Sequence, residues 1–273
     1  MTDKKLFVEG ELDGNLLNPI MVSGWTVEHS GGVGKYELPQ KTKWHNIASP
    51  HAKHIYLRDR DFDFEPDPLP DVGPFEMKDK FGYYWKRHEI ENYILEPSIV
   101  EKATEVNIGD YQNALLESGR KIRYYQAARW AVGLTRIELP RSYDLRTHPT
   151  EIDPSKFALP VALDSDSNKD WACKKCQEFG TNIGACLNRT LICEKFDKKT
   201  ALFSDKSFIS IENILIWFSG KDLLAGLKEW LDKNKQGTPK ELLNKIRDWM
   251  IFHNDQVLEI LPEWKRLQDI LKT

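Results

Sequence analysis

Over the first hundred residues, apolar positions come in short runs cut by glycines and charged pairs; after that they recur at helical intervals. Lys5–Gly10 (KLFVEG) reads as a short strand ending at a glycine, and Leu12, Leu16, Leu17 and Ile20 follow at helical spacing. Strand, glycine-containing turn and helix open an α/β unit. Trp25–His29, His54–Leu57 and Tyr83–Trp85 are further candidate strands, the first of them followed by a Gly-rich stretch. Prolines at 66, 68, 70 and 74 make residues 59–80 a loop, and His88–Leu95 reads as a turn into a helix or as an extended core segment. Leu115, Leu116, Ile122, Tyr125 and Trp130 set a long helix over Ile108–Leu134. Residues 149–170 read as loop, Phe208–Phe218 as strand or helix, and Asp222–Asp232 as helix. Thr238-Pro239 caps a helix whose apolar face carries Leu242, Leu243, Ile246, Trp249 and Met250, and Pro262 starts a last one. The tail face with Trp249, Phe252 and Trp264 serves either a partner or the core.

Composition narrows the classes. The 273 residues carry 39 basic and 42 acidic side chains, a net charge of −3. The whole molecule therefore has no bulk attraction to polyanions, and contact with nucleic acid has to come from a local patch. One candidate is the basic run of Arg120, Lys121, Arg123, Arg129, Arg136, Arg141 and Arg146, opposed only by Glu138 and Asp144. Arginines there suit phosphate contacts, while the interleaved Tyr124, Tyr125, Trp130 and Tyr143 divide between core and base-stacking roles. The same surface suits an acidic partner protein. Four cysteines are too few for a disulfide scaffold, and no apolar run is long enough for a membrane span, so a reducing, cytoplasmic setting is expected. Cys173-x-x-Cys176 is half of a zinc motif, but Cys186 and Cys193 lie outside its usual spacing; the set is either a structural Zn²⁺ site or a group of small buried residues. His45 and His51 read as loop residues.

Two acidic motifs carry the most information. Glu9-Gly10-x-x-Asp13 and Asp59-x-Asp61 each follow an apolar strand-like run directly. Strand ends of an α/β sheet open onto the crevice where such folds place their sites, and aspartates two apart on an extended chain face one side. Converging carboxylates repel one another unless a cation lies between them, and hard oxygen donors suit Mg²⁺ or Mn²⁺ better than zinc. Asp63, Glu65, Asp67 and Asp71 read instead as solvated loop carboxylates.

With FVEGELD, YLRDRDFD and HEIENYILEP in this order, the chain resembles the TOPRIM nucleases of the OLD-related, phage-defence type, among them the nuclease subunits of PARIS anti-phage systems. Residues 5–95 carry the likeness, and Ser219-Gly220-Lys221 is similar to a late Gly-Lys element of these enzymes; the middle of the chain matches no motif. The resemblance implies a small parallel sheet flanked by helices, with core residues 1–100, a helical, basic and cysteine-containing insertion over 101–204, and a return to the core at 205–273 with C-terminal helices. It implies a metal-dependent endonuclease for RNA, tRNA included, ahead of DNA, controlled by an ABC-type ATPase and homodimeric when active. By the same resemblance Asp59 and Asp61 hold an ion. Glu9 is a ligand or the acid–base group, supported by Asp13. Either Glu89 or Glu91 completes the ring; with Glu91 the ligand set is Glu9, Asp59, Asp61 and Glu91. Lys221 would neutralise phosphate, although a plain surface lysine is an equal reading. The competing expectation is a non-catalytic docking or sensing subunit. A topoisomerase needs a tyrosine nucleophile on a further domain, for which this chain is short.

Overall fold

The computed structural model of the chain describes residues 4–30, 37–63, 65–66, 73–77, 81–138, 163–180 and 187–273. They form an α/β architecture divided into two units: residues 1–60, 67–105 and 243–273 make the first, and residues 61–66 and 106–242 the second. Among the described residues no helix is long and apolar enough to cross a membrane.

The first unit holds the sheet. Its elements are β1 (Lys4–Val8), α1 (Glu11–Leu17), β2 (Trp25–His29), α2 (Leu38–Ala48), β3 (His54–Arg58), β4 (Phe75–Glu76), β5 (Gly82–Tyr84), α3 (Glu91–Ile94) and α4 (Pro97–Thr104). Strand order is β2-β1-β3-β5-β4; all pairs are parallel except the β4–β5 edge. Leu6, Phe7 and Val8 are all fully buried, and so is the whole of β3. Successive side chains on a strand point to opposite faces, so these two strands are covered on both sides, as parallel sheets require. Phe7 packs with Leu38 of α2 and Tyr56 of β3. Gly82 lies against the Tyr56 ring on the neighbouring strand, where any Cβ would collide with it. His45, expected in a loop, belongs to α2, its ring tilted against that of Phe7 at 4.8 Å between centroids.

The second unit is helical: α5 (Ile108–Glu138), α6 (Ser165–Gly180), α7 (Arg189–Ser204), α8 (Ile211–Trp217), α9 (Gly220–Gly226) and α10 (Lys228–Lys233). The apolar run at 208–218 is thus helix, capped by the Ser210 hydroxyl, which accepts the Asn213 N–H. α11 (Pro239–Phe252) starts in this unit and ends in the first, the division falling between Leu242 and Leu243. α12 (Asn254–Ile260) and α13 (Pro262–Lys272) follow in the first unit. The chain therefore rejoins the sheet unit at 243 rather than at the expected 205, because residues 205–242 pack as helices around α5.

α5 is the axis of the second unit. Tyr125–Gly133 are buried without interruption, so that stretch is enclosed on every side. One of its neighbours is the short segment after the Asp-x-Asp motif. Phe62 meets Trp130 edge-on at 5.2 Å, lies under the Arg129 guanidinium at 4.4 Å, and touches Gly133 where a side chain would clash. Asp63, expected in solvent, is buried and paired with Arg136, and Glu65 pairs with Lys199 at 2.6 Å. Breaking a buried pair strands the other charge, at a cost of about 3–5 kcal/mol. Arg136→Ala should lose that much in denaturant unfolding, and Arg136→Ala with Asp63→Ala should cost clearly less than the sum of the single changes.

Candidate metal centre at the ends of the parallel strands

The site grows from strand geometry. β1 and β3 run in parallel, with Phe7 opposite Tyr56, so the residues that follow them leave the sheet at the same end. Glu9 comes one residue after β1 and Asp59 one residue after β3. The Asp59 N–H donates to Glu9 Oε1 at 2.9 Å, and the Ser30 hydroxyl holds the Glu9 carbonyl at 2.7 Å from the end of β2. After β5 the chain reaches Glu89 and Ile90, and the Ile90 N–H donates to Asp59 Oδ1 at 3.0 Å. Asn92 Oδ1 accepts the Glu89 N–H at 3.1 Å and fixes that turn.

Asp59, Asp61 and Glu89 each present a carboxylate oxygen within 4.8 Å of the others, the one group of three or more potential ligands among the described residues. Asp59 and Glu89 are buried, and Asp61 is half-buried. Asp61 is separated from Asp59 by a single residue and is the first residue counted with the helical unit. Its φ of 47° lies in the left-handed region, which aspartate tolerates better than most residues. The Asp-x-Asp pair therefore converges through a turn, not by alternation along a strand. Three hard oxygen donors at this spacing suit Mg²⁺ or Mn²⁺.

Other residues singled out in the sequence are distributed as follows. Glu9 is hydrogen-bonded to the Asp59 backbone but stands outside the three-oxygen group. Asp13 is buried in the first turn of α1 and its carboxylate accepts the Gly10 N–H at 3.2 Å, a helix-capping role. Between Glu89 and Glu91 the geometry selects Glu89; Glu91 opens α3, buried, and is not part of the group. Lys221 is the second residue of α9, past the Ser219 cap, and belongs to the helical unit.

Two of the expected phosphate-binding arginines are interior. Arg129 is 1% exposed and ion-paired with Asp222, which also accepts from Gln126 at 2.6 Å, and Arg136 is neutralised by Asp63. A guanidinium whose charge is already matched inside the protein is not offered to phosphate. Tyr125 and Trp130 are buried with them. Arg120 and Lys121 are exposed beside Glu117 and Glu229, and Arg123 lies 4.5 Å over the Tyr124 ring. Arg141, Tyr143 and Arg146 fall outside the described residues, as do Asp67, Asp71, Cys186 and most of the Gly-rich stretch. Cys173, Cys176 and Cys193 form no three-ligand group. Burial pushes the thiols of Cys173 and Cys176 up, to about 11 and about 12.

A buttress that the sequence did not signal holds the chain on either side of Glu89, at Lys86 and Tyr93. Glu263 of α13 is buried, accepts the Lys86 N–H at 2.7 Å and pairs with the Tyr93 hydroxyl. Trp264 is buried against Trp85 and Tyr93, so the tail face packs on the core through this residue while Phe252 remains exposed. The Trp25 indole N–H donates to the Leu271 carbonyl at 2.7 Å, holding the far end of α13. Across known proteins, no family model and no curated sequence matches this chain.

Burial raises the pKa of Glu263, against the opposing pull of Tyr93, Lys86 and Arg87. An acid raised on folding favours the native state below its ordinary pKa, and that contribution is lost as pH rises through the folded value. Glu263→Gln should therefore flatten the fall in unfolding temperature between mildly acidic and neutral pH, with the two proteins converging at the acid end; parallel curves would disprove the assignment.

Proposed function

We propose that the chain is a metal-dependent phosphodiester hydrolase of TOPRIM type, in which Asp59, Asp61 and Glu89 hold Mg²⁺ or Mn²⁺. The observation that carries this reading is the convergence of three carboxylate oxygens at the exit of two parallel strands, with Glu9 hydrogen-bonded to the same turn. The bound ion supplies charge neutralisation at phosphate and an acidified water. Glu9, held on the Asp59 amide and outside the ligand group, serves as the acid–base group. Asn92 and Ile90 orient Glu89 and Asp59 through backbone hydrogen bonds. RNA, tRNA included, is the substrate favoured over DNA, and the setting is antiviral defence under an ABC-type ATPase; both rest on the sequence resemblance.

Purified chain supplied with Mg²⁺ or Mn²⁺ should cleave tRNA in preference to plasmid DNA. Asp59→Asn and Glu9→Ala should each slow cleavage at least about a hundredfold, the scale on which single charge-stabilising groups act. Asp59→Asn should also lose Mn²⁺ binding in a paramagnetic-resonance titration. Cleavage that survives both substitutions removes the mechanism, and a wild-type chain that binds no Mn²⁺ points to a docking subunit instead.

A further inference from the structure

α6 and α7 pack side by side in the helical unit, and each brings a cysteine to their shared face. Cys173 Sγ and Cys193 Sγ are 3.5 Å apart, both as free thiols. A disulfide bond is about 2.05 Å long, about 1.5 Å less than the present separation of these two side chains. We propose that Cys173 and Cys193 are a redox pair that closes into a reversible disulfide under peroxide and ties α6 to α7.

The surroundings assign the two thiols different roles. Cys193 is partly exposed, while the Lys169 ammonium near it is ion-paired with Asp197 at 3.2 Å. Access is the condition that favours attack on an oxidant. Cys173 is 3% exposed, and burial together with its neighbour Cys193 pushes its thiol up to about 11. The less accessible of the two, it is the resolving partner. Cys176, one turn further along α6, is fully buried and stays a thiol.

The chemistry balances with peroxide as oxidant. The Cys193 sulfur attacks one peroxide oxygen, the O–O bond breaks, and sulfenic acid and one water result. The Cys173 sulfur then attacks the Cys193 sulfur, the S–O bond breaks, and the oxygen leaves as a second water with the Cys173 proton. Two thiols lose two electrons in total, and peroxide is reduced to two waters.

The test uses the full chain, reduced and desalted, then treated with a small excess of hydrogen peroxide. Remaining thiols are blocked by alkylation, and the digest is read by mass spectrometry. The expected result is one cross-linked species joining the Cys173 and Cys193 peptides, two hydrogens lighter than their sum and released by dithiothreitol. It should persist in Cys176→Ser and vanish in Cys193→Ser, and the oxidised wild type should unfold several degrees above the reduced form. Three results would overturn the proposal: Cys193 passing to sulfinic acid without a cross-link, a cross-link to Cys176 or Cys186 instead, or one zinc per freshly purified chain that shields the thiols until it is chelated. The wild-type digest decides the pairing even if a variant fails to fold.

Discussion

Two backbone amides hold the acidic centre together. The Asp59 N–H on Glu9 and the Ile90 N–H on Asp59 link three stretches of chain far apart in sequence. Carboxylates packed this closely repel one another, and burial makes the repulsion stronger. Neutral donors aimed at those oxygens oppose it, each hydrogen bond to a charged acceptor contributing about 1.5–3 kcal/mol. The amides can be aimed only because β1 and β3 are parallel neighbours, which puts both chain exits at one end of the sheet.

Around that centre the protein uses buried charge as structure. Glu263 supports the turn before Glu89 from the C-terminal helix, through the Lys86 amide and the Tyr93 hydroxyl. In the helical unit, Asp63 with Arg136 and Asp222 with Arg129 hold their segments on α5. Such pairs are weak evidence for added stability, because desolvation opposes the Coulomb gain, but they fix which segment lies where. The left-handed turn at Asp61 fits this arrangement. It leads directly into Phe62 and Asp63, which contact Arg129 and Arg136 of α5.

Local patterns were readable from the residues themselves. The strand exits at Glu9 and Asp59, the long helix α5 and the capped helix at Pro239 all follow from apolar periodicity and end signals, which depend on near neighbours. For Arg129 and Arg136, two members of the basic run, distant contacts decide instead. Arg129 and Arg136 have the spacing of a charged helix face, but both are buried, paired with Asp222 and Asp63, which lie 93 and 73 residues away in the chain.

What periodicity and residue type settled is that strand ends carry carboxylates and that helices follow. Three-dimensional packing decided the rest: that Glu89 and not Glu91 meets the aspartates, that Asp13 caps a helix, that the chain returns to the sheet unit at 243, and that Cys173 lies against Cys193. Periodicity reports which face of an element is apolar. It does not report which distant element covers that face, and a carboxylate or a thiol takes its role from whatever charge, amide or sulfur that element brings within a few ångströms.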